Sequence, residues 1–553
     1  MYHLDASLDP ARLGERVRRL LVLAAFLCTA VSIGTAQIPS SSAQGPVFRT
    51  DAGLVRLSVI VKDDRGRPIP GLTAADFELF DQGQPQRVLL FSVEGSASPS
   101  RAAADDDVFT NRIDGPASAG VTVLLFDRLN TLQEHQSIAR NHIFQYLKQL
   151  RPEDRVGFYV LEADEVLVLH DFTRDAASLI KAVERVDART SVPLAGSQDQ
   201  LVRGIEVGLR DFNTEIEGWV ARAEEHIQGF FIDRRVKATT GAMEALAAHL
   251  AGVRGRKNVI WISSGFPILF NDGIMTRNAS PELFRATRAL NDADIAFYPV
   301  DARGLMGVFS TPPGARQQEF STLDDLMSNI ETSQVIAEKT GGRAYFNTND
   351  LGGAIQRAAE DSRLTYVLGY TPSHAQWDGR FREIKVRVRR RDVSVRHRSG
   401  YFAVRPEVPS PVDKQNAVLA ALDSPLDATG VGVSVSVAKA AAAGDVALTI
   451  RVEPAAVLLK PEGGMWTGEL DVAIAHTLPD GRLVRMIDAT VPLRLSESAR
   501  EQLLAEGLTF TRTLTLRPDA DQVKVAIRNS AGAIGTVTIP ASRLRGAVKP
   551  SLQ

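Results

Sequence analysis

Apolar and polar residues alternate with period two at both ends of this chain, while the middle mixes strand-like and helix-like patterns. From Leu54 to Lys62, Val55, Leu57, Val59 and Val61 share one face, the signature of a half-buried strand. A turn at Asp63-Asp-Arg-Gly66 follows, then strand-like runs at 71–80 and 86–91 separated by Asp81-Gln-Gly83. These runs predict a small β-sandwich over 48–94. The Ser-, Ala- and Asp-rich stretch behind it reads as a linker over 95–116.

From Val121 the rhythm changes. Strand-like runs at 121–126, 155–161, 166–169, 259–262 and 295–300 alternate with helix-like runs at 136–150, 175–186, 240–250 and 281–292. Such alternation predicts a Rossmann-like α/β unit over 117–362, a mainly parallel sheet covered by helices on both faces. A polar, helix-prone insertion occupies about 190–235. Runs at 364–370, 380–388 and 392–398 predict an antiparallel β extension over 363–404. After a Pro-rich linker at 405–415, alternating runs between 432 and 539 predict a C-terminal β-sandwich over 416–545, with a short helical crossover at 498–506.

Composition narrows the class. A chain of 553 residues is long enough for about three to four domains. A formal net charge of −2 exerts no overall pull toward nucleic acid or anionic membrane. Arg12, Arg16, Arg18 and Arg19 precede an apolar stretch from Leu20 to Gly34, and Gly34-Thr-Ala36 supplies small residues, so 1–36 reads as a secretory signal cleaved after Ala36, with 37–47 a linker. The stretch is shorter than a spanning helix needs, and no other segment is apolar enough. The one cysteine, Cys28, lies inside the leader, so the expected mature chain has no disulfide and no thiolate chemistry. The expected location is secreted, periplasmic or cell-surface.

The candidate chemistry sits where open α/β sheets place ligands, beyond the carboxyl ends of strands. Val121–Phe126 delivers Asp127-Arg-Leu-Asn-Thr131 there, a carboxylate followed by small polar side chains that suit a divalent cation. The turn acids Asp63 and Asp64 could hold calcium or simply be a solvated turn. The cations Lys385, Arg387, Arg389, Arg390, Arg391, Arg396 and Arg398 gather on a hairpin that suits an anionic partner such as a polysaccharide, or that protects a sheet edge with charge.

Several separated motifs occur in order: Asp127-Arg-Leu-Asn-Thr131, Arg151-Pro-Glu-Asp-Arg-Val156, Asp171-Phe-Thr173, Gly255-Arg-Lys-Asn258, Ser263-Ser-Gly-Phe-Pro267, Tyr298-Pro-Val-Asp-Ala-Arg-Gly304 and Thr340-Gly-Gly-Arg-Ala-Tyr-Phe-Asn-Thr-Asn-Asp350. From about Phe48 to Ala403 the chain resembles the von Willebrand factor A-related family of acidobacterial secreted proteins. That resemblance implies a multidomain fold, a Rossmann-like von Willebrand A-type domain flanked by β-sandwiches. It also implies a metal-dependent adhesion site holding Mg2+ or Mn2+ through an Asp-x-Ser-x-Ser loop, a threonine and a second aspartate. Carried over, Asp127 matches the first aspartate, Thr131 the second serine and Thr239 (or Thr240) the threonine. Leu129 replaces the first serine, with Asn130 as a substitute oxygen, and Ser264 replaces the second aspartate. Asn130 and Arg128 are added as partner-binding candidates. With one carboxylate lost, metal is expected to bind weakly, and Asp127 and Thr131 could instead cap the following helix.

No His-Glu-x-x-His, Gly-x-Ser-x-Gly, Walker loop or strand-following Gly-x-Gly-x-x-Gly occurs. Ser264 has no histidine nearby in sequence to act as a base, and His170 and His249 read as solvated or packed residues. The expected function is therefore a non-enzymatic interaction or adhesion-type protein with a degenerate metal site, whose partner is an unidentified protein or surface ligand. The alternatives are a metal-free scaffold or a hydrolase with an unrecognised site.

Overall fold

An uncharged run, Val121–Phe126, becomes the middle strand of the parallel sheet in a computed structural model. The structure describes residues 54–95, 108–112, 120–163, 165–188, 191–196, 214–253, 255–265, 269–271, 276–304, 319–374, 376–404, 410–424, 426–440 and 445–548. The expected leader at 1–36, Cys28 and the linker 37–47 lie outside the described residues.

Strands β1 (Val55–Asp63), β2 (Phe77–Asp81), β3 (Gln84–Gln86), β4 (Leu90–Gly95) and β5 (Val108–Thr110) come first. The α/β unit then runs β6 (Val121–Asp127), α1 (Gln133–Lys148), β7 (Val156–Glu162), β8 (Glu165–Thr173), α2 (Ala176–Glu184), α3 (Val192–Gly196), α4 (Thr214–Leu250), β9 (Lys257–Ser263), the hairpin β10 (Leu269–Asn271) and β11 (Thr276–Asn278), α5 (Ser280–Asp292), β12 (Ile295–Asp301), α6 (Glu319–Thr340) and α7 (Leu351–Glu360). Its sheet has the order β12-β9-β6-β7-β8, parallel except for the edge strand β8. Every residue of β6 and β9 is buried, as expected for strands covered on both faces. One face packs Val123, Leu125, Tyr159 and Trp261 under α4 and α5; the other packs Leu124, Phe126, Phe158 and Ile260 under α1, α2 and α7.

The polypeptide then returns through β13 (Leu364–Tyr370), β14 (Phe381–Val388), β15 (Val393–Arg396) and β16 (Gly400–Phe402). Here the structure corrects the domain reading. β13 lies between β1 and β4, and β14 lies between β2 and β16, so 48–94 and 363–404 are not separate modules. They build two sheets around one core of Leu57, Val59, Leu79, Tyr366, Leu368, Ile384 and Val386, and the α/β unit is inserted into that sandwich. The second face of β1 is exposed at Arg56 and part-buried at Lys62 but buries Ser58 and Ile60 between them, and the Ser58 hydroxyl donates to Asp294 of the α/β unit at 2.8 Å. Re-entry is fixed by Asp361, just after α7. Its carboxylate pairs with Lys62 of β1 at 2.6 Å and with Arg396 of β15, and accepts the Tyr298 hydroxyl at 2.9 Å.

Helix α8 (Pro411–Asp423) precedes β17 (Val433–Lys439), β18 (Asp445–Val452), β19 (Lys460–Glu462), β20 (Met465–Thr477), β21 (Leu483–Leu495), α9 (Glu497–Glu506), β22 (Leu508–Thr515), β23 (Gln522–Asn529), β24 (Ile534–Pro540) and α10 (Ala541–Val548). Two sheets, β22-β18-β17-β5 and β19-β20-β23-β24, share a core of Val435, Leu448, Ile450, Leu470, Ile474, Val525 and Ile539. Two expected linkers carry structure. β5, inside 95–116, pairs with β17, and α8 begins inside 405–415 with Ser410 and Asp413 forming a capping box before Pro411. The insertion at 190–235 is, where described, largely the first part of α4, a helix about 55 Å long.

The C-terminal sandwich docks on the last turn of α4. Thr429 caps it, its N–H donating to Ala248 O and its hydroxyl to His249 O. Gly252 fits there because a Cβ would collide with the Thr429 carbonyl. His249 bridges the units, with Nδ1 at 2.6 Å from Asp427 O and Nε2 at 3.0 Å from the Tyr159 hydroxyl. A carbonyl can only accept, so Nδ1 carries the proton and Nε2 accepts from Tyr159. Burial pushes the His249 pKa below its ordinary 6.5. With the folded value below the unfolded one, this stabilisation is fully present above pH 6.5 and is lost as pH falls through the folded value. Melting followed from about pH 7.5 to about pH 5.5 is expected to show a smaller pH slope for His249→Gln than for the wild type; equal slopes contradict the assignment.

Candidate functional site

The strand order reverses around β6, with β7 on one side and β9 and β12 on the other, so a crevice is expected beyond the carboxyl ends of β6 and β9. The register pairs Phe126 with Ile262 and Ser263 with Asp301, bringing the Asp127, Ser263 and Asp301 ends to one level.

Asp127 has no exposed surface. Its Oδ1 accepts the Asn130 backbone N–H at 2.9 Å. Its Oδ2 accepts Asn130 Nδ2 at 2.8 Å, Trp261 Nε1 at 2.9 Å and the Ser263 hydroxyl at 2.7 Å. Three of the four donors thus crowd Oδ2, and one occupies Oδ1. Burial raises the Asp127 pKa above the usual carboxylate range, and the hydrogen bonds from Asn130, Ser263 and Trp261 oppose that rise.

Behind this carboxylate lies a cation of the protein's own. Arg235 Nε donates to Asn130 Oδ1 at 3.0 Å, and its guanidinium reaches Gly265 O at 3.3 Å. Asn130 Nδ2 is 2.8 Å from both Asp127 Oδ2 and Thr239 Oγ1, so an amide donor stands between the two oxygens a cation would bridge. Thr240 turns back to Val236 O on its own helix. Thr131 Oγ1 accepts the Ser264 N–H at 3.2 Å. Ser264 Oγ is buried without a partner among the described residues and lines a cavity of about 10 Å³, room for a single water.

Asp127, Thr131, Thr239 and Ser264 thus lie at one end of the sheet, but the Asn130 amide occupies the place between the Asp127 and Thr239 oxygens, and Thr131 Oγ1 is taken by the Ser264 N–H. The donor set does not fit Mg2+ or Mn2+, which need several unengaged oxygens in near-octahedral array. Among the described residues no group of three or more His, Cys, Asp or Glu side chains is placed to hold a metal. The capping alternative also differs from the structure: the N-cap of α1 is Leu132, and neither Asp127 nor Thr131 caps it. Asn130 and Arg128, expected to meet a partner, are buried; Arg128 pairs with Glu162 at 2.8 Å.

Other candidates resolve locally. Asp63 accepts the Arg65 and Arg67 N–H groups and pairs with the Arg67 guanidinium, which makes it a turn residue. The basic hairpin is partly engaged: Arg387 lies over the Phe80 ring at 5.4 Å, Arg389 pairs with Glu78 at 3.0 Å and Arg396 with Asp361.

Sequence reasoning missed Trp261, Ser263 and Arg235. Two signals were present. Strand period two puts Trp261 and Ser263 on one face of β9, and Arg235 lies one helical turn before Thr239 on α4, so both reach the same place.

No protein-family model and no curated protein matches the chain. Among solved structures, the VWA domain of SpRpn10 is 11% identical, with 44% of this chain and 96% of that one covered and a TM-score of 0.21. The pilus adhesin SpaC from Lactobacillus rhamnosus GG is 8% identical, with 82% of this chain and 57% of that one covered and a TM-score of 0.27. The N-terminal domain of TFIIH p34 is 15% identical, with 44% and 96% covered and a TM-score of 0.18. At these TM-scores the likenesses carry no argument about activity or partners.

Asp127→Ala leaves the Asn130 amide, the Trp261 N–H and the Ser263 hydroxyl without their acceptor, and is expected to cost about 3 kcal/mol or more. Denaturant unfolding checks this. A loss below about 1 kcal/mol, the scale of an exposed polar contact, contradicts the described geometry.

Proposed function

We propose that this is a secreted or cell-envelope interaction protein of adhesion type, non-enzymatic, in which a von Willebrand A-like unit works without metal as a scaffold. The observation that supports this reading best is the engagement of Asp127 by four internal donors. With three donors on Oδ2 and one on Oδ1, most of this buried carboxylate is engaged internally, which disfavours a cation or a substrate proton there. No histidine is hydrogen-bonded to Ser263 or Ser264 among the described residues, so neither serine has the base a nucleophile requires.

The architecture supports the same reading. Asp361 ties the α/β unit to the first sandwich, and Thr429 with Asp427 ties it to the second. A body joined in this way offers shaped surfaces to a partner and keeps them in fixed relation. Among the described residues no helix is long and apolar enough to cross a membrane.

Millimolar Mg2+, Mn2+ or EDTA is expected to leave the melting temperature unchanged, and capture of partners from envelope extracts is expected to be insensitive to chelator. A metal present at its Kd would add about 0.4 kcal/mol, so a reproducible upward shift abolished by Asp127→Asn overturns the metal-free reading.

A further inference from the structure

Away from Asp127, a cleft of about 440 Å³ opens where the first sandwich meets the carboxyl end of α5. That volume falls within the roughly 300–1,000 Å³ of small-ligand sites. Its cationic wall is Arg56 of β1, Arg288 of α5 and Arg398, and its aromatic wall includes Trp377 and Phe402. The second wall is rigidly backed. The Phe402 ring packs on Phe284 and Phe381 at centroid distances of 5.3 and 5.2 Å, and the Lys339 ammonium sits 3.7 Å from the Phe381 centroid.

The charges of this cleft do not close on themselves. Arg56 meets Glu94 only at 3.9 Å and Arg288 meets Asp292 only at 3.7 Å, both at the limit of ion pairing. Asp294 accepts the Ser58 hydroxyl on both oxygens and faces the buried Lys257, which interacts with Asp294 and Glu94. Arg398 is left over. Its guanidinium donates to the Arg56 carbonyl at 2.7 Å, its Nε is buried without a partner, and among the described residues no carboxylate lies within ion-pair distance of it. Asp294 and Asp292 act on it through space without pairing with it, and a half-buried guanidinium with an unpaired Nε gains when an anion comes within bonding reach.

We propose that this cleft binds the carboxylate-bearing sugar residues of an acidic polysaccharide. The carboxylate meets Arg398 and Arg288, whose planar forks suit bidentate pairing. The apolar face of the ring lies against Trp377 or Phe402. Sugar hydroxyls donate to Asp292 and to the side-chain oxygen of Asn291, which share the rim. The two acids of the cleft, Asp292 and Asp294, favour a hydroxyl-rich ligand with isolated carboxylates over an acidic peptide, whose clustered charges they repel. The cleft shares no residue with the Asp127 site, so this inference stands or falls independently of the metal-free reading.

Titration calorimetry of the full chain with trigalacturonate, its fully methyl-esterified form and a short poly-glutamate peptide tests it. Trigalacturonate is expected to bind, with the ester and the peptide much weaker. Arg288→Ala, an exposed position whose loss leaves the fold intact, and Trp377→Ala are each expected to weaken binding about tenfold or more, the scale of a lost charge-assisted hydrogen bond or stacking contact. Arg398→Ala is expected to abolish binding. If that variant does not fold, as its circular dichroism would show, Arg288→Glu replaces it. Absence of trigalacturonate binding, equal binding of the ester, preference for the peptide, or affinity unchanged in Arg288→Ala overturns the proposal.

Discussion

A carboxylate with no exposed surface must be compensated where it sits, and the carboxyl end of this parallel sheet is organised around that requirement at Asp127. The loop after β6 turns back so that Asn130 donates twice to the carboxylate, β9 contributes Trp261 and Ser263, and α4 brings Arg235 and Thr239 against the far side of Asn130. Three elements distant in sequence are held in register by one group. A guanidinium on a long helix is joined to the carboxylate through the Asn130 amide.

The same logic of buried charge joins the modules. Asp361, almost without exposed surface, stands at the seam where the chain leaves the α/β unit, and it holds Lys62 and Arg396 from two strands of the first sandwich. Breaking such a pair leaves an uncompensated ion inside, which is why insertion of one domain into another need not create a hinge. At the opposite end, two terminal carbonyls of α4 accept from Thr429, so the second sandwich is part of that helix's cap. The cleft near Arg398 is looser, its arginines meeting the carboxylates around them at the limit of ion pairing or beyond it.

Long periodic elements were legible in the sequence because burial writes itself into periodicity: β1, β6, β7, β9, β12 and β14 lie close to the expected runs. What escaped was determined by distant partners. Nothing local in Leu364–Tyr370 says that it pairs with Val55–Val59 rather than only with the hairpin that follows it. β5 is too short for alternation to register, and β21 is mostly exposed, so its pattern carries little hydrophobic contrast. The capping box at Ser410 and Asp413 was readable, but the prolines around it favoured a linker. At the site, Asp127, Thr131, Thr239 and Ser264 lie at one end of the sheet. Which atoms donate to which could not be read from residue types, because an asparagine may offer either an oxygen to a metal or an amide to a carboxylate.

A double-mutant cycle on Asp127→Asn and Arg235→Met, measured by denaturant unfolding, tests the central claim that this sheet end is closed by an internal charge relay through Asn130. Groups acting through one shared hydrogen-bond network are expected to show a coupling energy of about 1–3 kcal/mol, with the second substitution costing less once the first is made. Additivity within about 0.5 kcal/mol would show that Arg235 and Asp127 act independently, and would contradict the account.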